Sequence, residues 1–245
     1  MTLDILGVGI DAVTLDEAVE RARTLMHERR GAYVCTPNPE MIWLCRGDDA
    51  LRGVVNAADM TLPDGVGVLL GARLLGARLP ERVTGVDFAC ALLGRMQGRV
   101  FLLGAKPGVA ERAAKAICSS WPDVTVAGVC DGYYADEDEV IRQIESARPD
   151  FLLVCLGMGR QERLMARLAG NENIGLMAGL GGTLDVLAGD IPRAPDFFIR
   201  HRIEWLYRLW REPKRIKRVM RLPLYVAAVM KQRIKHGKTD RSGRH

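Results

Sequence analysis

Polar side chains gather beside glycines and prolines at a few points of this 245-residue chain. Thr36-Pro-Asn38-Pro-Glu40 follows an apolar run, and its two prolines stiffen a turn able to present the Thr36 hydroxyl and the Asn38 amide to a cleft. The same residues are equally suited to capping the helix that Pro39 would open. Leu62-Pro-Asp64-Gly65 holds a carboxylate at a second rigid turn, before an apolar helix, where a helix cap is the simpler reading of Asp64. Phe101-Leu-Leu-Gly104-Ala-Lys106-Pro-Gly108 is a strand, a glycine turn and a helix start, and bare backbone N–H groups in such a place suit a diphosphate. Asp131-Gly132-Tyr133-Tyr134 offers a carboxylate to a ribose or base edge, or makes an ordinary Asp-Gly turn. Gly157-Met-Gly159-Arg160-Gln161-Glu162 again sets glycines before a polar pair. Glu162 in a first helical turn is favoured by the helix dipole whatever it binds.

Metal and nicotinamide chemistry find little footing in the sequence. Gly7-Val-Gly9 lacks the third glycine of the dinucleotide fingerprint, and the phosphate-loop pattern GxxxxGK[ST] is missing. The four histidines, His27, His201, His236 and His245, stand at no ligand spacing with one another or with a cysteine. Asp136-Glu137-Asp138 fits a DxD cation motif, but it lies at an expected helix amino terminus, where carboxylates are stabilised without an ion. No metal and no cofactor is therefore expected. Six scattered cysteines without a CxxC pair read as buried thiols.

These turns need elements to hold them. Ile5 to Ile10, Tyr33 to Thr36, Val100 to Leu103, Val124 to Val129, Phe151 to Leu156 and Ile174 to Ala178 read as buried strands. Helical periods fill Leu15 to Arg29, Pro39 to Cys45, Val66 to Leu75, Val86 to Met96, Val109 to Ser119, Glu137 to Ala147 and Gln161 to Leu168. Strands and helices in alternation predict an α/β fold: a Rossmann-like, mostly parallel sheet with helices on both faces and ligands at the carboxyl ends of its strands.

Charge divides the chain. Residues 200–245 hold 15 of the 35 Lys and Arg but only 3 of the 30 Asp and Glu, a net of +12 against −7 for residues 1–199. The tail also carries Phe197, Phe198, Trp205, Trp210, Leu222, Leu224, Tyr225, Val226, Val229 and Met230. An α/β core over 1–199 and a basic amphipathic helical appendage over 200–245 follow, with an anionic membrane surface as the appendage's partner. A second subunit is the other way to cover such apolar residues, so a homo-oligomer stays open. No apolar run reaches the length that spans a bilayer, and the start lacks a secretory pattern, so the expected place is cytoplasmic, peripheral on the inner face of the cell membrane.

Six motifs in order carry a resemblance. They are Thr36-Pro-Asn38-Pro-Glu40, Leu62-Pro-Asp64-Gly65, Arg82-Val-Thr84-Gly85-Val-Asp87, Gly157 to Glu162, Gly179-Leu-Gly181-Gly182-Thr183-Leu-Asp185, and Ile203-Glu204-Trp205 through Arg208, Arg215 and Arg218. Together they resemble the WecG/TagA/CpsF glycosyltransferases, family 26, over residues 3 to 230. The family often has Pro-Lys where this chain has Gly159-Arg160, and an aromatic where it has Leu184.

The resemblance implies transfer of N-acetylmannosamine or a related sugar from a UDP donor to a polyprenyl-diphosphate-linked N-acetylglucosamine, with inversion and without an essential metal. It puts the catalytic carboxylate on Asp64, an important hydroxyl on Thr36, and appendage arginines on Arg208, Arg215 and Arg218. Candidate substrate contacts are Asn38, Arg82, Asp87, Gly104, Asp131, Gln161, Glu162 and Asp185. The three arginines, spaced by seven and three, share a face of a continuous helix, which Pro213 would kink or split; contact with lipid headgroups alone is the rival reading. A glucose or glucuronic acid donor is the nearest alternative activity. A nucleic-acid-binding protein fits the charge but leaves Asp64, Asp87 and the glycine turns without a role, so no nucleic-acid partner is expected.

Overall fold

The computed structural model describes residues 1–28, 31–191 and 221–242. In chain order the elements are β1 (Thr2–Ile5), β2 (Val8–Asp11), α1 (Leu15–Glu28), β3 (Ala32–Cys35), α2 (Pro39–Cys45), α3 (Asp49–Asn56), β4 (Met60–Thr61), α4 (Val66–Leu74) and α5 (Gly85–Leu93). There follow β5 (Gly98–Gly104), α6 (Val109–Ser120), β6 (Val124–Cys130), α7 (Glu137–Ala147), β7 (Phe151–Cys155), α8 (Arg160–Leu168), β8 (Leu176–Gly179), α9 (Thr183–Leu187) and α10 (Leu222–Ser242).

Six strands form one parallel sheet in the order β4-β3-β8-β7-β5-β6. Strands β3, β7 and β8 are buried along their whole length, because helices cover both faces; this is why their sequences are continuous apolar runs and not alternating ones. Helices α1, α5, α6 and α9 pack on one face through side chains such as Phe88, Leu92 and Ile117. The hairpin, α2, α3, α4, α7, α8 and α10 cover the other, where Ile42, Met165 and Tyr225 meet Cys35, Leu103 and Met177. From β8 the chain crosses to the first face, whereas from its neighbours β3 and β7 it crosses to the second. Diverging connections leave a crevice at the carboxyl edge, the place where parallel sheets bind ligands.

Several expectations are revised. The run Ile5 to Ile10 is not one strand but the antiparallel hairpin β1–β2, with Ile5 opposite Val8. Leu6 and Gly7 both take positive φ, +56° and +87°, as a two-residue hairpin turn requires, so an apolar Leu6 hides a turn. Helices α3 and α9 and strand β4 escape the periodicity reading because each offers only a turn or so of apolar pattern; in α3 just Leu51 and Val55 are buried. Among the thiols, Cys35, Cys45 and Cys155 are buried as expected, but Cys118 is exposed on the outer side of α6.

Helix α10 belongs to the packed body. Tyr225 and Val229, read from sequence as grease for a membrane, are 1% and 0% exposed. The Tyr225 hydroxyl donates to the Gly67 carbonyl at 3.2 Å, and Gln232 accepts from the Leu6 N–H at 2.9 Å and donates to the Asp4 carboxylate at 2.7 Å. Gly71 of α4 makes this fit possible, and Gly67 lets α2 approach α4 just as closely. A Cβ on Gly71 would lie 2.2 Å from the Tyr225 hydroxyl oxygen, and one on Gly67 2.4 Å from Pro39 Cγ. Leu224, Met230 and Ile234 remain exposed on the outer side of α10. Among the described residues no helix is long and apolar enough to cross a membrane.

Candidate active site

The strand ends converge through short backbone bonds. Leu62 N–H donates to the Cys35 carbonyl at 2.8 Å, and Asp64 N–H to the Pro37 carbonyl at 3.4 Å, so the turns after β3 and β4 lie side by side. Val83 N–H reaches the Pro63 carbonyl at 3.1 Å and brings the Arg82-Val-Thr84 segment to the same edge. Asp64 and Arg82 are both half-buried there.

The two turns divide capping from display. Asn38 is the N-cap of α2: its Oδ1 accepts from Met41 N–H at 3.0 Å. Thr36 has a different task, donating its hydroxyl to the Gly179 carbonyl at 2.7 Å, and it is 7% exposed. It thus ties the end of β3 to the end of β8. Asp64 does not cap α4. That position is held by Gly65 at φ +92°, which leaves Asp64 one residue before the cap, at the mouth of the sheet.

A buried polar strut supports the neighbouring loops. Glu162 is 0% exposed, and its two carboxylate oxygens accept from Gly159 N–H at 2.6 Å and from Gln161 Nε2 at 2.8 Å. Gln161 Oε1 in turn accepts from Gly181 N–H at 3.3 Å. The pair therefore locks the β7–α8 loop to the β8–α9 loop, the same segment whose Gly179 carbonyl receives Thr36. Glu162 is a positioning residue in this geometry, since no part of it reaches solvent. Burial raises its pKa above the usual carboxylate range, against the lowering effect of the bonds from Gln161 and Gly159. Burial, and then the Glu162 charge, push the nearby Cys45 thiol up to about 11, so it stays a neutral packing group.

The far half of the edge is built on β5 and β6. Gly104, at φ +127°, lies so close to β7 that a Cβ would stand 2.2 Å from the Cys155 carbonyl oxygen. Beside it Ala105 holds φ +61°, a strained value for a residue with a side chain, and its carbonyl accepts from Gly132 N–H at 2.9 Å. Asp131 makes an Asx turn with Tyr133 N–H at 2.7 Å, which leaves the Tyr133 ring 71% exposed. Arg160 spans to this loop twice: its guanidinium lies 4.3 Å from the Tyr134 ring centroid and donates to the Gly132 carbonyl at 2.6 Å. In the sequence Gly159-Arg160 stands out as a departure from the family pattern that can alter substrate contacts, though not as a link to the Tyr134 loop. A planar guanidinium can stack and donate at once, which a lysine ammonium cannot do as well.

Other expected contacts have structural employment. Asp87 lies in the first turn of α5, where it accepts the Thr84 hydroxyl at 2.7 Å. Asp185 is half-buried in α9, on the crevice side of β8. Asp136 caps α7, while Glu137 and Asp138 pair with Arg167. Among the described residues no group of three His, Cys, Asp or Glu side chains is placed to hold a metal ion. One carboxylate was missed altogether: Asp11, 8% exposed, accepts from Thr61 N–H at 2.9 Å and fixes the short β4 that carries Asp64. Its sequence neighbourhood is that of any strand end. Arg208, Arg215 and Arg218 lie outside the described residues.

Comparison with known proteins agrees with this geometry. The family model of the glycosyl transferase WecG/TagA/CpsF family matches residues 3–239. An N-acetylglucosaminyldiphosphoundecaprenol N-acetyl-beta-D-mannosaminyltransferase of Bacillus spizizenii is 36% identical over 211 residues, 85% of this chain and 82% of its own. A protein of the same name from Bacillus subtilis is 37% identical over 208 residues, covering 84% and 81%. One from Staphylococcus aureus is 33% identical over 244 residues, covering 96% of each chain. The chain belongs to the WecG/TagA/CpsF family of glycosyl transferases.

Proposed function

We propose that this protein transfers N-acetylmannosamine from UDP to a polyprenyl-diphosphate-linked N-acetylglucosamine, with inversion at the anomeric carbon. The reading is supported by the relatives' shared name across most of both chains. The observation that carries it is the displaced helix cap: Gly65 takes the N-cap of α4 and leaves Asp64 at the crevice beside Thr36, where a base is needed.

In the reaction the acceptor hydroxyl oxygen forms a bond to the sugar's anomeric carbon as the bond from that carbon to the UDP oxygen breaks. The hydroxyl proton passes to Asp64, and the electron pair leaves with UDP. The nucleotide lies along the β5–β6 side, its diphosphate near the Gly104 turn and the start of α6, its base edge near Asp131 and Tyr133. Arg208, Arg215 and Arg218 neutralise the charge on departing UDP, since guanidinium binds phosphate oxygens in pairs and is never lost to titration. No metal is then required. These tail arginines complete the site at an anionic membrane, where the lipid acceptor resides.

A donor screen tests the proposal. With a short-chain prenyl-diphosphate-linked N-acetylglucosamine as acceptor, mass spectrometry should find one added N-acetylhexosamine from UDP-N-acetylmannosamine and far less from UDP-glucose or UDP-glucuronic acid. Turnover should survive EDTA. Strict dependence on added Mn²⁺, or preference for glucose, would overturn the corresponding part.

A further inference from the structure

On the face that carries α2, α3 and α8, a groove of about 700 Å³ opens between the α2–α3 turn and the loop into α8. Its size falls within the range of small-molecule sites. None of its side chains has a part in the chemistry above. Trp43, Leu44, Leu51 and Met158 give it an apolar lining, and Arg46, Arg163 and Arg221 give it three guanidinium groups. Asp48 is the one carboxylate in the lining; it is held by Arg163 at 2.5 Å, so the wall keeps a cationic excess. Arg46 lies over the Trp43 ring, 4.5 Å from its centroid, where the ring face holds the cation without neutralising it. Arg221 approaches Glu40 only loosely, at 3.9 Å.

The position matters as much as the lining. Glu40 is in the first turn of α2, directly after the Thr36–Asn38 turn that lies against Asp64, so the rim at Arg221 begins beside the proposed base. At its other side the groove includes Gly159, whose N–H is held by Glu162. It therefore extends from the crevice over α2 and α3 and ends at the β7–α8 loop, one residue before the Arg160 that reaches Gly132. Because Arg163 is already engaged by Asp48 and by the Gly159 carbonyl at 3.1 Å, an occupant must offer anionic oxygens chiefly to Arg46 and Arg221, and hydrocarbon to Trp43 and Met158. A nucleotide could stack its base on Trp43 but has no extended chain to cover Leu44, Leu51 and Met158 as well.

We propose that this groove seats the acceptor's diphosphate and first isoprene units, with Arg46 and Arg221 on the phosphates and Trp43, Leu44, Leu51 and Met158 along the prenyl chain. The assignment rests on the transfer reading above. It adds where the lipid lies: across α2 and α3, and not along the nucleotide strands.

The direct test is photolabelling of the full chain by farnesyl diphosphate bearing a diazirine on its prenyl end. Label should map to peptides containing Trp43 to Leu51 or Met158, and unlabelled farnesyl diphosphate should compete it away. Label confined to other peptides would overturn the assignment. So would equal competition by phosphatidylglycerol vesicles, which would mark a headgroup site. In kinetics, Arg46→Glu, an exposed change with little bearing on folding, should raise KM for farnesyl-diphosphate-linked N-acetylglucosamine tenfold or more. Its kcat should change less than twofold and its UDP affinity by calorimetry not at all. Arg221→Ala should act in the same sense. Unchanged KM in both variants sinks the groove while leaving the transferase reading intact. Absence of any sugar transfer by the wild type sinks the transferase reading, and labelling still decides the groove.

Discussion

Asp64 and Glu162 are two carboxylates with opposite environments, and their variants should fail in different ways. Asp64 is half-buried at the crevice, and Asp64→Asn should lower kcat by roughly 10²- to 10⁴-fold, the usual weight of a general base, while calorimetry finds UDP binding unchanged. Equal loss of UDP binding would mean that Asp64 holds the donor. Glu162 accepts two hydrogen bonds only when ionised, and protonation would place an O–H where Gly159 or Gln161 now donates. Its raised pKa should therefore put an acid limb in kcat/KM above the ordinary value of about 4.3. Stability runs the other way. A raised folded-state pKa contributes stability that is complete below the unfolded value and lost as pH rises through the folded one, so the protein should gain stability as it loses activity on acidification. Glu162→Gln should remove both trends, as read by pH–rate profiles and melting curves; an acid limb that persists would belong to another group. Residue types alone mark Asp64 and Thr36 only as candidates; it is the family resemblance that puts a catalytic role on Asp64. Which residue caps a helix depends on a backbone angle, here φ +92° at Gly65, and nothing in the letters Pro-Asp-Gly distinguishes Asp64 as cap from Asp64 as displayed base.

Among elements, the docking of α10 against α4 is the least visible in sequence and the most open to a clean test. The strands that line the site, β3, β5, β7 and β8, could be read from apolar runs closed by glycine or, for β3, by Thr36-Pro37, and α2, α6 and α7 from their period. Helix α10 could not be told from a free amphipathic segment, because its buried side chains, Tyr225 and Val229, are four apart like any membrane-facing pair. The information sits instead in α4, where Gly71 leaves room for a tyrosine. Gly71→Ala improves helix propensity by about 1 kcal/mol on its own, yet its Cβ would meet the Tyr225 hydroxyl oxygen at 2.2 Å. The variant should be less stable than wild type and should expose α10 to proteolysis. Tyr225→Phe removes the clashing oxygen and leaves only a 3.2 Å approach to Cζ, so the double variant should recover much of the loss. Additive losses in that cycle would show that α10 does not bear on Gly71.

At the scale of the whole molecule, sequence disclosed a parallel α/β sheet with its ligands at one edge, but not the order of its strands. The last two, β7 and β8, are inserted between β5 and β3, and that insertion creates the diverging connections and the crevice. No local pattern encodes it, since every buried parallel strand has the same apolar run. Charge, by contrast, is legible at once: +12 over residues 200–245 and −7 over the rest. Of the described tail, α10 presents Leu224, Met230 and Ile234 outward together with Lys231, Arg233 and Lys235. If this surface meets the bilayer, electrostatics should dominate recruitment and the apolar residues should retain what salt releases. Each cation near an anionic leaflet contributes about 1 kcal/mol, so replacing Lys231, Arg233 and Lys235 by Gln should cost about 3 kcal/mol, on the order of 100-fold in vesicle partition. Raising salt from about 0.1 M to about 1 M shortens screening from about 10 Å to about 3 Å and should release the wild type to a similar extent. These substitutions leave Tyr225, Val229 and Gln232 untouched but remove the Arg233 bond to the Leu74 carbonyl at 2.9 Å, so the melting temperature should fall only by what such surface contacts contribute. Flotation with anionic and zwitterionic vesicles measures both effects, and binding that ignores lipid charge, salt and the triple substitution alike would place the membrane contact elsewhere on the protein.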